Sequence, residues 1–538
     1  MSLLHAARLA APAAVAACAS RATLCDKLSV SDDELPFSVT HDRLNPSIRV
    51  HKLLHLSDLG FKSANLANKY NQDGAIVSRT GQTYSRFIGE DDCVLVNIVR
   101  TPKTSAEEME LAYHRAGPRE ALHFDPKEVR AAVVNCGGLC PGLNDVIHHI
   151  VEQLSYVYGV EHIYGIRGGY RGFDSTTPLD EGQGRSASNI LGRFMTRRAL
   201  GEAMGGGSGS GSDGSLASKD FFAPVRLTPK MVSHWHHEGG TNLGSARGGF
   251  DEDKIIAFLE KNRINQLYII GGDGTHRGAF RLAKACADRG LNVAVNGVPK
   301  TIDNDIALID YSFGFRSAVA AAQVALDSAV TEAQGNMPNG IGVVKLMGRS
   351  SGYIASYAAI TNGSVDLCLI PEVPVKLHGP DGCLPHLERV IARKGHATVV
   401  VAEGAGEELL GESAEVDAGG NKKLPAIGEF MVKQIKDHFK SIGSEATVKY
   451  IDPSYTIRSV PANSDDSYLC HTLASGVVHG AMAGFTGFTV GMVNNHSVLI
   501  PIPALVAKSP RTLNPRGRTW DRVLSITGQP NTADSTTK

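Results

Sequence analysis

The sequence predicts an α/β fold built on mainly parallel sheets. Three observations carry this. Short apolar runs alternate along the chain with helical stretches, which is the pattern of βαβ units. The runs end in glycine-containing polar turns, and open parallel sheets bind ligands at the carboxyl ends of their strands. The chain, at 538 residues, has room for roughly three to four domains of about 150 residues, or for two large ones.

In chain order, the run at 129–135 precedes GGLCPG, 266–270 precedes GGDGT, 293–298 precedes PKTIDND, 341–346 precedes MGR and 398–402 precedes EG. Helical patterns cover 316–333 and 429–440. A ligand site is thereby placed at the strand ends before any motif is interpreted.

Composition narrows the partners. Lys plus Arg number 54 and Asp plus Glu 55, so no net charge draws the chain to nucleic acid or to an acidic membrane. No run of 18 apolar residues exists, and no transmembrane helix is predicted. Nine cysteines in a chain of this length argue against a disulfide framework and for a reducing compartment. Cys136 and Cys140 lack CxxC spacing and are read as ordinary thiols, with His148 and His149 following them. His234, His236 and His237 have no Cys or carboxylate at ligand spacing and are read as surface histidines.

The first 25 residues hold ten alanines, Arg8, Arg21 and no acid, the composition of an organelle transit peptide. The plastid is the expected destination, with mitochondrion or cytoplasm as alternatives. Residues 26–109 are read as an N-terminal extension. A segment at 181–224, centred on GGGSGSGSDGS, is too polar and glycine-rich to bury surface and is read as a flexible insert.

Four motifs carry chemistry. In GGDGT (271–275), glycine lets phosphate oxygens approach backbone N–H groups, and a helix expected from about Arg277 would point its N-terminus at the same anion. Asp273 beside such a cradle repels its ligand unless a cation intervenes, so it is assigned to Mg²⁺; a turn in which Asp caps a helix is the other reading. In PKTIDND (299–305), Asp303 and Asp305 sit two apart. Asp303 is the expected acceptor of a hydroxyl proton, with Lys300 and Thr301 as donors to a moving phosphoryl group. An Asx-rich loop capping the next helix is the alternative. MGR offers Arg349 as a planar fork of donors. YTIR offers Tyr455 and Arg458 for a sugar phosphate, and Glu403 ends a further strand where it can accept sugar hydroxyls.

This ordered set, with GGLCPGLN, GIRGGYRGF, YIDPSYTIR, HGAMAGFTGFTVGMVN and RTWDRVLSITGQP, resembles the phosphofructokinase family, and within it the plant-type ATP-dependent branch. The resemblance runs from about residue 110 to 530. It implies two Rossmann-like lobes with the active site in the cleft between them: a nucleotide lobe (110–300), a sugar-phosphate lobe (301–490) and a C-terminal segment (491–538) returning to the first lobe. It implies transfer of the γ-phosphate of ATP, with Mg²⁺, to the 1-hydroxyl of fructose 6-phosphate. Gly138, Arg247, Gly248, Gly272, Asp273, Gly274 and Thr275 would hold ATP, with Asp273 at the metal. Thr301, Ile302, Asp303, Met347, Gly348, Arg349, Glu403, Tyr455, Thr456, Ile457 and Arg458 would meet the sugar phosphate, and Asp303, Arg349 and Thr301 would be catalytic. A homotetramer or dimer is implied as well.

Pyrophosphate-dependent members of the family carry Asp at the position of Gly274 and Lys at the position of Lys300. Gly274 leaves space for the nucleotide's α-phosphate, which favours ATP. The NAD and lipid kinases also use GGDGT but are not expected to show PKTIDND followed by MGR. A non-catalytic sugar-phosphate sensor is the reading outside enzymology, and it would be favoured by loss of Asp273, Asp303 or Arg349, all of which are present.

Overall fold

A computed structural model describes residues 38–40, 48–68, 87–99, 105, 110–177, 179, 222–411 and 424–533. The expected transit peptide and residues 181–221 of the insert lie outside them.

Two sheets position the site. Strands β1 (Leu111–Arg115), β2 (Arg130–Asn135), β3 (His162–Ile166), β4 (Gln266–Gly271) and β5 (Ala294–Pro299) enter the first. The chain then builds the second from β6 (Gly340–Leu346), β7 (Leu367–Leu369), β8 (His396–Ala402) and β9 (Thr447–Ile451). It returns to the first with β10 (Phe488–Val493) and β11 (His496–Pro501).

The spatial order in the first sheet is β1–β11–β10–β5–β4–β2–β3, flanked by short edge strands. It is parallel from β10 to β3, while β11 runs antiparallel to both neighbours. The second sheet, β7–β8–β6–β9, is parallel throughout. Every residue of β4 and β5 is buried, as expected for strands covered by helices on both faces. The α/β class and parallel sheets predicted from the sequence are those observed.

Five helices cover these sheets near the site: α1 (Leu143–Glu152), α2 (Asp273–Asp288), α3 (Phe315–Gly335), α4 (Tyr353–Asn362) and α5 (Ser464–Met482). In α1 the residues Leu143, Val146, Ile147, Ile150 and Val151 are all fully buried, at the i, i+3, i+4 spacing of a one-sided apolar stripe. That stripe packs on α5, which itself lies on β5. Helix α3 packs on β6 and on α4.

After β2 the chain moves out to β3, and after β4 it moves the other way to β5. The loops following β2 and β4 therefore diverge and leave a crevice between them. The C-terminal segment does more than return to the first sheet. Its last helix packs on α4, and the Gln529 side chain both donates to and accepts from the backbone of Cys368 in β7, at 3.0 and 2.7 Å. Residues 48–68 also join the body: Leu53, Leu56, Leu59 and Phe61 are core.

Candidate active site

The crevice is a cavity of about 190 Å³. The β2 loop contributes Gly138 and Leu139, and the glycine-rich segment before Phe250 contributes Arg247. Gly272 and Asp273 follow β4. The loop after β5 supplies Lys300 through Asp303, with Asp305 and Ile306. Met347 after β6, and Arg458, come from the second sheet. Both sheets thus face one cavity, and residues more than 300 positions apart in sequence meet there.

Helix α2 begins at Asp273, four residues before the start expected from sequence. The Asp-Gly-Thr of the motif is its first turn, and the free N–H groups of that turn sit at the cavity edge. The His276 ring fixes this start, its Nδ1 lying 3.1 Å from the Gly272 carbonyl and its Nε2 2.9 Å from the Thr489 hydroxyl on β10. Around the position a Cβ on Gly274 would take, no heavy atom lies within 4 Å apart from its chain neighbours and the adjoining backbone of its own helix. Thr275 is held through its carbonyl, which accepts from the Tyr170 hydroxyl at 2.9 Å.

The acid loop is built by reciprocal bonds. The Thr301 hydroxyl donates to Asp305 Oδ1 at 2.8 Å and accepts from the Asp303 N–H at 3.1 Å. Asn304, at φ +55°, turns its carboxamide oxygen to the Ser312 N–H at 3.0 Å. Ser351, just after MGR, donates to the Asp303 carbonyl at 3.1 Å. Arg511 clamps the loop from outside: its N–H donates to the Asp305 carbonyl, and its guanidinium donates to the carbonyls of Asn304 and Ile309, each at 3.2 Å.

Electrostatics single out two carboxylates. Burial, with Asp305 and Glu403 nearby, pushes the Asp303 carboxyl up to about 7, against the pull of Arg349 and Lys300. Burial and Asp305 push Asp273 up to about 6. Oδ1 of each is buried without a hydrogen-bond partner. Buried carboxylate oxygens left in this state are costly unless a cation or an incoming donor satisfies them. Lys300 is itself buried, which lowers its ammonium pKa, and it donates to the Gly138 carbonyl at 2.8 Å.

Gly348, Arg349 and Glu403, expected to meet the sugar phosphate, are not in the cavity lining, although the charges of Arg349 and Glu403 act on Asp303. Gly348 has φ +130°, and a Cβ there would fall 2.4 Å from the Ser351 carbonyl oxygen. Its own carbonyl accepts from the Gly404 N–H at 3.2 Å, and the Glu403 N–H donates to the Leu346 carbonyl at 2.9 Å, so the ends of β6 and β8 are tied together. Glu403 is pushed up by burial, with Arg349 opposing. Gly248, at φ +71°, follows Arg247 in its turn.

Three further expected substrate residues are not brought to the cavity either. Tyr455 is 76% exposed, with the Arg458 guanidinium 4.8 Å over its ring. Thr456 is exposed too, and Ile457 is fully buried in the core. The short helix Ser454–Ile457 rotates successive side chains by about 100°, so they cannot all face one ligand. Lys300, expected as a donor to the phosphoryl group, lines the cavity; Leu139, Asp305 and Ile306 were not among the expected ligand contacts, yet line it too. Asp305 was legible as a member of PKTIDND; Leu139 and Ile306 carried no signal.

Fold and cavity together define an α/β phosphotransferase. The chain belongs to the phosphofructokinase family, whose model matches residues 130–481 under the description Phosphofructokinase. It is 43% identical over 455 residues to "ATP-dependent 6-phosphofructokinase 5, chloroplastic" of Arabidopsis thaliana, covering 83% of this chain and 76% of that one. It is 40% identical over 487 residues to the ATP-dependent 6-phosphofructokinase of Amycolatopsis methanolica, covering 89% and 96%. Among solved structures, a pyrophosphate-dependent phosphofructokinase from Nitrosospira multiformis matches at TM-score 0.54 and 16% identity, over 75% of this chain and 93% of that one. At that identity the likeness concerns the fold.

Proposed function

We infer that this chain is an ATP-dependent 6-phosphofructokinase, moving the γ-phosphoryl group of ATP to the 1-hydroxyl of fructose 6-phosphate. The observation that carries the mechanism is that Asp273 and Asp303 share one cavity, each with a carboxylate oxygen buried and unpartnered. In this reading the first sheet's loops hold the nucleotide: Gly138, Arg247, Gly248 and the first turn of α2 from Gly272 to Thr275. Their N–H groups and the Arg247 cation suit phosphate oxygens. Asp273 fits Mg²⁺, with its hard oxygen donor at the mouth of a phosphate cradle. The ion, when bound, neutralises charge on the transferring phosphoryl group.

Asp303 accepts the sugar hydroxyl proton as the oxygen attacks phosphorus. A carboxylate with an affinity for protons raised to about 7 is matched to that transfer near neutral pH. Lys300 in the cavity lining and Arg349 beyond it favour the ionised form of Asp303 against its burial. Thr301 has its hydroxyl proton engaged by Asp305, so its part is to hold the acid loop in place. Ile302 and Met347 supply apolar wall, and Arg458, which also lines the cavity, suits the sugar's phosphate; Glu403, outside the lining, acts through its charge on Asp303.

Room around Gly274 favours a nucleotide over pyrophosphate as donor. The deciding experiment is a coupled assay with ATP, pyrophosphate or no donor. Turnover with ATP and Mg²⁺ supports the reading, whereas turnover with pyrophosphate alone, or none at all, overturns it. A catalytically silent sensor would bind fructose 6-phosphate without product.

Plastid residence is part of this proposal, supported by the alanine-rich, acid-free first 25 residues and by relatives described as chloroplastic. Sequencing the mature N-terminus from isolated organelles tests it. A homo-oligomer is proposed too, and sedimentation tests that. No helix among the described residues is long and apolar enough to cross a membrane.

A further inference from the structure

Away from the cavity, the C-terminal half of α1 carries a group of side chains that the phosphotransfer chemistry does not use. His148, His149 and Glu152 offer three donor atoms lying within 4.8 Å of one another. His148 Nε2 is 3.3 Å from Glu152 Oε2, and His149 Nδ1 is 3.8 Å from the same oxygen. Ligands held about 2.0–2.2 Å from a tetrahedral zinc ion stand roughly 3.4 Å apart. The first separation already matches and the second needs only a small adjustment.

The other nitrogen of each ring is also accounted for. His148 Nδ1 lies 2.9 Å from the Val232 carbonyl, which places a proton on Nδ1 and turns Nε2 toward Glu152. His149 Nε2 faces Asp145 Oδ1 at 3.5 Å. A carbonyl or carboxylate on the far nitrogen of a ligating histidine is the usual support of a metal site.

A buried carboxylate lies beside the group. The Asp145 side chain is 1% exposed, and neither of its oxygens has a hydrogen-bond partner; a buried carboxylate left in that state is costly unless positive charge stands near it. The ring of His236 lies tilted, 4.6 Å from that of His148, and the ring of His471 lies edge-on, 4.8 Å from that of His149. His236, read from its sequence context as a surface histidine, is half-buried and its Nδ1 is buried without a hydrogen-bond partner, while His234 and His237 are exposed.

We propose that His148, His149 and Glu152 bind a divalent transition-metal ion of the zinc class, with Asp145 and the Val232 carbonyl orienting the two imidazoles. Nitrogen and carboxylate donors without thiolate suit zinc. All three ligands lie on α1, and the bond from His148 to the Val232 carbonyl ties α1, and the site with it, to the segment that leads to Arg247. The two are joined already where Asn144 donates to the Glu238 carbonyl at 3.0 Å and accepts from the Asn242 N–H at 2.8 Å.

The test uses the full chain, stripped with a chelator and dialysed against zinc chloride in excess Mg²⁺, so that the cleft carboxylates are occupied. The expected result is one zinc per chain by elemental analysis, with a rise in melting temperature. His149→Ala and Glu152→Gln should each abolish both effects while keeping basal activity. Asp145→Asn should weaken zinc binding about 10–100-fold. Cobalt(II) added to the unaltered protein gives a readout that needs no variant: intense visible bands of a four-coordinate ion. Failure of the unaltered chain to retain zinc or to show those bands overturns the proposal, as does equal zinc retention by the folded variants.

Discussion

The Lys300 ammonium donates to the Gly138 carbonyl at 2.8 Å, joining the loop after β5 to the loop after β2 across the floor of the cavity. One buried cation thereby sets the spacing between the phosphate cradle and the acid loop. Replacing it with Met keeps the stem and removes the charge. Lys300→Met should lower kcat/KM by at least ~10-fold and move the acid limb of activity to higher pH, because a cation that favours ionised Asp303 is lost. Steady-state kinetics across pH 5.5–9 check both, and an unmoved limb would show that Lys300 acts only by packing.

Asp303→Asn should reduce kcat by a factor on the order of 10²–10⁴, the usual worth of a lost proton acceptor. The Michaelis constants for ATP and fructose 6-phosphate should change less. A variant with wild-type turnover would falsify the assignment of Asp303 as the base.

The same substitution has a signature in stability. A carboxyl raised from 3.8 to about 7 on folding binds its proton more tightly in the native state. Its destabilising contribution is absent below pH 4, grows between about 4 and 7, and is complete above that range. Asp273, raised to about 6, adds to it over the lower part of the range. Melting temperature measured from pH 4 to 8 should fall more steeply in the wild type than in Asp303→Asn. Parallel curves would mean that the carboxyl is not perturbed in the folded protein.

Gly274→Asp should fold normally, since nothing crowds a side chain there and an acid suits the first turn of a helix. ATP use should nonetheless fall by ~10-fold or more through repulsion of the nucleotide's phosphates. Unchanged ATP kinetics in a variant of wild-type melting temperature would remove the argument from space for the donor.

Tyr455→Phe should alter KM for fructose 6-phosphate by less than about 2-fold, as exposed side chains outside a site rarely matter more. Arg458→Ala should raise it by ~10-fold or more, losing a charged donor to phosphate. The reverse ranking would put Tyr455, and not Arg458, at the substrate.

These outcomes rest on parts of the molecule that were unequally legible in the sequence. The strand-end loops could be read because β4 and β5 are buried on both faces and so appear as unbroken apolar runs. The start of α2 could not, because two glycines argue against helix, while the bond that fixes it comes from Thr489, 213 positions from His276. Tyr455 and Arg458 look like a pair at helical spacing. They are one, but they stack on each other, and only Arg458 reaches the cavity. The imidazole group on α1 was hidden for a similar reason: His236 and His471 come from separate elements, and spacing along the chain says nothing of that meeting.

The Arg511 clamp on the acid loop carries a consequence for biosynthesis. Residues 303–305 are translated before Arg511, whose guanidinium secures Asn304 from 207 positions later. A polypeptide can pair most of its strands while this turn still lacks its anchor. Products that stop short of Arg511 should therefore be compact but inert, and competence for sugar phosphorylation should arrive only once Arg511 has joined the loop.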